Sequence, residues 1–146
     1  MAVARIDPFA KFNFTVEIPT IARANFSEVC GLGLEVGVIE YRDGNDPVLN
    51  VRKLPGLVKY NNIILKRGFT QDHSLWDWAR QSVQGNIQRV DVVITMLNNQ
   101  RQPVGRWVAH NAWVSKYEGP ALNAKSNDVA MESVEIAHEG IDFVAP

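Results

Sequence analysis

A mostly β protomer, an antiparallel sandwich or small barrel-like domain with one α-helix flanking an open side, is the fold class that this chain predicts. Three observations carry the prediction. Apolar residues alternate with polar ones in several short runs, as half-buried antiparallel strands require. Only one stretch has helical spacing. Gly-, Asn- and Pro-containing breaks separate the runs at short intervals, without repeats, low-complexity tracts or linkers. With 146 residues the chain fits a single domain, 1–146, that buries roughly two thirds of the surface its unfolded form exposes.

Residues 11–18 open the series, with Phe12, Phe14, Val16 and Ile18 on one face and Lys11, Asn13, Thr15 and Glu17 on the other. Residues 25–41 are rich in Val, Leu and Ile but are interrupted by Gly31, Gly33 and Gly37, which suggests a bulge or tight bend. Leu34, Val36 and Val38 are expected to share a face. A long polar assembly loop is read at about 42–62, because a run of that length without periodicity is uncommon in a compact domain and usually carries function when ordered. Arg42, Asp43, Asp46, Arg52, Lys53 and Lys59 mix both charges there, and Leu54, Leu57, Val58 and Tyr60 offer apolar anchors around a rigid Pro55-Gly56 turn. Such a composition suits a protein partner better than a small substrate.

Residues 62–67 form the next predicted strand. The helix covers 74–84, with Ser74 or His73 at its N-cap and Gly85 ending it. Leu75, Trp78, Ala79 and Ser82 make a seam that Trp76 and Val83 widen. Strands follow at 89–97, at 104–114 after a turn over 98–103, and at 128–138, giving about seven in all.

Function classes narrow by chemistry. Fifteen Lys plus Arg against sixteen Asp plus Glu leave a formal charge of -1, which offers no electrostatic footprint for a dedicated nucleic-acid binder. Cys30 is the single cysteine, so one chain can make neither a disulfide nor a thiolate metal cluster. It reads as a buried, inert small residue in a strand-like run. His73, His110 and His138 lack the spacing of zinc motifs. Glu132 and Glu135 fall on opposite faces of a strand, and with Glu139 they read as solvated or interface charges. No glycine pattern makes a phosphate cradle. Trp76 and Trp78 read as packing groups, and Trp107 and Trp113 share a face if their strand is regular. No catalytic residue, metal ligand or cofactor is predicted, and the chain is not expected to be an enzyme. The N-terminal residues show neither a signal peptide nor a membrane span, so synthesis in the cytoplasm is expected without stable membrane insertion of the subunit.

Several phrases together resemble the tail tube protein family of contractile phages and its relatives in phage-tail-like contractile injection systems. They are DPFAKFNFTVEI (7–18), FSEVCGLGLEVGVIEYRDG (26–44), RKLPGLVKYNNIILKRG (52–68), LWDWAR (75–80) and SVEIAHEGIDF (133–143), in order across nearly the whole chain. Cys30 departs from the serine expected there. The resemblance implies hexameric rings in which neighbours join their sheets into one continuous β-barrel, stacked into a hollow tube inside a contractile sheath. Closing sheet edges between subunits also removes an aggregation hazard. With about four strands per subunit, ~24 strands at ~4.8 Å and a tilt near ~45° give a backbone barrel ~50 Å across and an opening of ~40 Å.

The resemblance further implies that the 42–62 loop and the N-terminal Ile6, Asp7, Pro8 and Phe9 reach adjacent protomers or the next ring. Mixed charges would set register, and Leu54, Pro55 and Leu57 would supply buried area. A loop folded back on its own sandwich is the plainer alternative. The implied partners are further copies of the chain, a sheath protein, baseplate, spike and tube-terminating proteins, and cargo protein or DNA in the lumen. The particle would be released or envelope-anchored. Two other classes stay open at this point: a monomeric β-sandwich binding module for carbohydrate or peptide, with the tryptophans as its platform, and a small hydrolase.

Overall fold

Alternation of apolar and polar residues becomes nine strands and one helix among the residues described, which are 7–19, 21 and 25–146 of a computed structural model. The strands are β1 (Phe14–Glu17), β2 (Glu28–Cys30), β3 (Leu34–Tyr41), β4 (Arg52–Tyr60), β5 (Ile63–Gly68), β6 (Val90–Leu97), β7 (Pro103–Glu118), β8 (Met131–Ala137) and β9 (Gly140–Val144). Helix α1 (Ser74–Val83) lies between β5 and β6. Seven strands follow the order β1-β6-β7-β8-β5-β2, with β9 also on β7; β3 and β4 form a separate pair.

Strand β7 organises the sandwich because it serves both layers. Its first part pairs with β6 up to Ala112 and with β9, and its last part, from Trp113, pairs with β8. The change comes at a bulge where Val90 faces Ala112 but Val92 faces Ala109, with Asn111 at φ 54°. Asn tolerates that conformation better than most residues. The extra residue reverses the faces beyond it. Ala109, Ala112 and Val114 all point into the core, while Trp107 and Trp113 fall on opposite faces. The premise of a regular strand therefore fails, and with it the shared face expected for these two tryptophans.

The core lies between the two layers. Val16, Ile18, Val92, Ile94 and Ala109 contribute from one side, Ile63, Leu65, Val114, Val134 and Ile136 from the other, and Leu75, Trp78 and Ala79 from α1. In β1 the predicted face is correct for Val16 and Ile18, but Phe12 lies before the strand and is exposed. The helix is as expected from 74 to its stop at Gly85, which has φ 74°. His73 occupies the N-cap position without a side-chain bond; instead Asp72 Oδ1 accepts the Ser74 amide at 3.0 Å. Trp76 and Val83 are exposed rather than part of the seam.

Strands β2 and β5 meet through Gly31, whose φ is 91° and whose added Cβ would stand 2.1 Å from the carbonyl oxygen of Asn62. Both conformation and space demand glycine. Gly31→Ala is expected to destabilise the fold by about 1–3 kcal/mol from backbone strain alone, with further loss from the clash. A lowered urea midpoint at unchanged slope checks this.

Candidate assembly surface

The predicted loop at 42–62 is largely a strand. β4 pairs antiparallel with β3 through Leu34↔Tyr60, Glu35↔Lys59, Val36↔Val58, Ile39↔Leu54, Glu40↔Lys53 and Tyr41↔Arg52, leaving only residues 42–51 as the connection. Two Glu–Lys pairs and two apolar pairs suit opposite positions in such a ladder. The Pro55-Gly56 dipeptide, read as a turn, sits inside β4 at the register shift between Val36 and Val38. Proline is tolerated at a bulge on an edge strand. A Cβ on Gly56 would come within 3.1 Å of the Gly37 carbonyl oxygen and 3.2 Å of Ile39 Cγ1, so the chain is tightly packed around this glycine.

Among the described residues this hairpin pairs with no other strand, and its apolar side chains are exposed on both faces. Leu34, Val36, Val38 and Val58 share one face, as expected for the first three, and Ile39, Tyr41 and Leu54 occupy the other. Of the twenty-one exposed large apolar side chains in the described residues, eleven lie between Leu34 and Val58, including Leu49 and Leu57 at 87% and 89% exposure. A lone two-stranded hairpin is marginal in water, and exposed apolar surface of this extent is uncommon on a monomeric protein.

The tip is nevertheless ordered by its own charges. Arg42 donates from Nε to the Val48 carbonyl at 3.1 Å and from Nη2 to the Asp46 carbonyl at 3.2 Å. Asp46 accepts the Asp43 amide at 3.1 Å and faces Arg52 at 3.6 Å. Tyr41 bonds Asp43, which raises the pKa of the phenol, with a smaller contribution from desolvation. At the root, His138 Nε2 donates to the Asn61 carbonyl at 2.8 Å, and its ring lies 5.9 Å from that of Tyr60. Lys53 and Lys59 are exposed along β4. Asp7, Pro8 and Phe9 lie together with Asn98, Asn99 and Gln100 of the β6–β7 turn around a shallow cleft, well separated in sequence from the hairpin. Ile6, also predicted as a contact, is outside the described residues.

Polar groups within the body tie the sandwich together. Glu132, expected to be solvated or at an interface, is 2% exposed and accepts Arg67 Nε at 2.6 Å and Tyr117 Oη at 2.6 Å. Arg67 also donates to the Asp72 carbonyl at 2.8 Å and carboxylate at 3.2 Å, so the network ties β5, β7 and β8 to the start of α1. Burial first, and then the bond to Glu132, raise the Tyr117 pKa to about 12. The Asp72 carboxyl is held low first by the Ser74 amide and hydroxyl, then by Arg67. Glu135 lies on the other face, as the strand period requires. Cys30 is exposed on edge strand β2, not buried: among the described residues nothing pairs with the outer side of this three-residue strand.

His110 stands between β6 and β9, with Nε2 donating to Asp142 at 2.7 Å and Nδ1 3.6 Å from Asp91. Its pKa is raised, mainly by Asp142 and then by Asp91. A proton bound more tightly in the folded chain stabilises it fully below the unfolded value of about 6.5, and this contribution is lost as pH rises through the raised folded value. His110→Asn is therefore expected to lower the melting temperature slightly at pH ~5.5 and hardly at all at pH ~8.5, since exposed pairs are worth little.

The tryptophans are dispersed. Trp78 is buried, Trp107 packs edge-on to Phe143, and Trp76 packs edge-on to Tyr117. No group of three His, Cys, Asp or Glu side chains among the described residues is arranged to hold a metal, and no described helix is long and apolar enough to cross a membrane.

Among the described residues, a sandwich with unpaired sheet edges and a separate apolar hairpin has the features of a structural subunit. The T4-like virus tail tube protein gp19 family matches residues 10–142, and the chain belongs to that family. Among solved structures, a chain of the PVC sheath–tube complex of an extracellular contractile injection system in the extended state is similar over 95% of this chain and 93% of its own, at 27% identity and TM-score 0.84. A chain from the PVC sheath/tube terminator matches at 29% identity and TM-score 0.85, covering 97% of this chain and all of its own. One from the six-fold symmetrised anti-feeding prophage baseplate shares the fold at 22% identity and TM-score 0.87, over 97% of this chain and 98% of its own. No match is found among curated proteins. The chain is a structural tube subunit of a contractile tail or injection system, and the monomeric binding-module reading is not supported.

Proposed function

We propose that six copies form a ring, that rings stack head to tail into a hollow tube, and that the β3–β4 hairpin is the principal device joining one copy to its neighbours. The single observation carrying this reading is the hairpin itself: a preordered arm, unpaired with its own sheet and apolar on both faces. Leu54, Pro55, Leu57 and Tyr60 supply apolar contact, Lys53 and Lys59 supply charge, and Arg42, Asp43, Asp46 and Arg52 hold the tip in a fixed shape. Ile6, Asp7, Pro8 and Phe9, near the start of the sequence, add a second contact. Preordering lowers the entropic cost of association.

A surrounding sheath then drives the preassembled tube through a target envelope, with cargo protein or nucleic acid in its lumen and no chemical step by the subunit. Sheath, baseplate and terminator partners fit the assemblies in which the similar chains occur. Head-to-tail stacking propagates without closing, so tube length is set by another component. Synthesis in the cytoplasm precedes assembly into a particle that is released or anchored.

The test is assembly of the purified chain, alone and with a baseplate nucleus. Six-fold rings or tubes in electron micrographs are expected; a chain that stays monomeric with the nucleus present would refute the reading.

A further inference from the structure

The β3–β4 hairpin is tied to the body by two short links, Gly31-Leu32-Gly33 before β3 and Asn61-Asn62 after β4. The links touch each other. The Asn61 amide donates to the Gly33 carbonyl at 3.1 Å, and a Cβ on Gly33 would come within 2.8 Å of Asn61 Nδ2. Among the described residues no strand outside the hairpin pairs with it, so no ladder fixes its angle to the sandwich. Links this short, one of them holding two glycines, are where a swing of the arm would be absorbed.

A side chain of the body reaches across this joint. The antiparallel register of β5 on β8 pairs Ile63 with Ile136, and two residues further along it sets Asn61 opposite His138. The backbone ladder has ended there, and the imidazole takes over as donor, with Nε2 2.8 Å from the Asn61 carbonyl oxygen. The same ring lies 5.9 Å from that of Tyr60, at 56° to it, and a Cβ on Gly140 would stand 3.8 Å from the Tyr60 ring. Tyr60, the last residue of β4, is therefore seated on the β8–β9 turn. That turn is held from its other side by Glu139, which donates its amide to the His110 carbonyl at 2.9 Å, accepts Asn111 Nδ2 at 2.8 Å and faces Arg89 at 4.0 Å. His138 Nδ1 is buried without a hydrogen-bond partner among the described residues.

We infer that His138 is the latch that fixes the angle of the arm, a positioning residue for assembly that acts through Asn61 and Tyr60. The inference rests on the arm reading above and adds to it what sets the arm's direction. An arm held at one angle meets its partner without first losing orientational freedom. One that is loose about its links is competent only in the fraction of copies that point the right way. The unpartnered Nδ1 separates this role from a stabilising one. A buried acceptor without a donor costs stability, so a ring lacking nitrogens removes that cost together with the bond to Asn61 and leaves the body about as stable.

Two variants test the latch: His138→Phe, which keeps a ring beside Tyr60 but loses the donor, and His138→Gln, which keeps a donor at similar reach. Spin labels on Leu49→Cys at the arm's tip and Val83→Cys at the end of α1, both exposed, are placed in the full chain carrying Cys30→Ser and report the arm-to-body distance in dilute single copies. His138→Phe is expected to broaden the distance distribution with an unchanged thermal melt. In the unlabelled chain it is expected to raise the concentration at which tubes form on a baseplate nucleus by roughly two- to tenfold, the worth of one hydrogen bond. His138→Gln is expected to keep the narrow distribution and the parent's threshold. A distribution as narrow in His138→Phe as in the parent, or as broad in His138→Gln as in His138→Phe, would overturn the inference. Failure of the parent chain to assemble with the nucleus would instead remove the arm reading and any role of His138 in assembly, while the distances in single copies still judge the latch by itself.

Discussion

Leu54→Asp combined with Leu57→Asp is expected to abolish ring and tube formation and to leave a folded, soluble subunit. Leu54 is 45% exposed and Leu57 89% exposed in the lone chain, so neither contributes much to the core. In an assembled interface, each would be an apolar anchor whose replacement by an unpaired charge costs about 2 kcal/mol or more. Two such losses, at about 1.4 kcal/mol per tenfold, weaken each contact by roughly a thousandfold. Repetition at every joint leaves no tube at concentrations where the parent assembles. Light scattering and electron microscopy read the assembly, and an unchanged circular dichroism melt confirms the fold. Tubes of normal length from this variant would show that the hairpin is not the joining device.

Glu132→Ala is expected to produce the largest loss of stability of any single change in the body. It leaves Arg67, 5% exposed, without its closest carboxylate, and Tyr117 without its acceptor. Breaking a buried ion pair from one side costs about 3–5 kcal/mol, a large share of the 5–15 kcal/mol that typically holds a domain together. The contact of Arg67 with Asp72 persists and keeps the loss within that range. Replacing both members, Arg67→Met with Glu132→Leu, is expected to recover much of it, because the buried charge itself is then gone. Chemical denaturation of both single variants and the double variant measures the coupling. A double variant as unstable as Glu132→Ala would mean that packing at these positions, rather than the unpaired charge, sets the cost.

The strands with clean alternation were legible in the sequence, because one face of each meets the core: β1, β5, β6 and β8 fall within two or three residues of expectation. Helix α1 was legible from its seam and from Gly85. The hairpin was not, for a physical reason. Its two faces are both apolar and both exposed in one copy, so no two-residue period separates inside from outside, and Pro55-Gly56 reads as a turn when it is a bulge. The residues proposed for assembly were singled out by their charges and apolar anchors, which stand out whatever the backbone does. β9 was missed because residues 138–139 interrupt what is otherwise one line of partners along β7, with Trp113↔Ala137 and His110↔Gly140 on either side. The burial of Glu132 could not be read from one strand. Its partners lie 65 and 15 residues away and meet only when β5, β7 and β8 are side by side. Cys30 was misjudged because a strand-like run says nothing about which strand becomes the edge.

The central claim, that this chain closes into six-membered rings that stack into a conduit, is tested most directly by electron microscopy of the purified chain over a range of concentrations, with and without a baseplate nucleus. The account predicts hollow six-fold rings or tubes whose channel is on the order of 40 Å wide. A population that stays monomeric under every one of these conditions, or closes with a different symmetry, would contradict it.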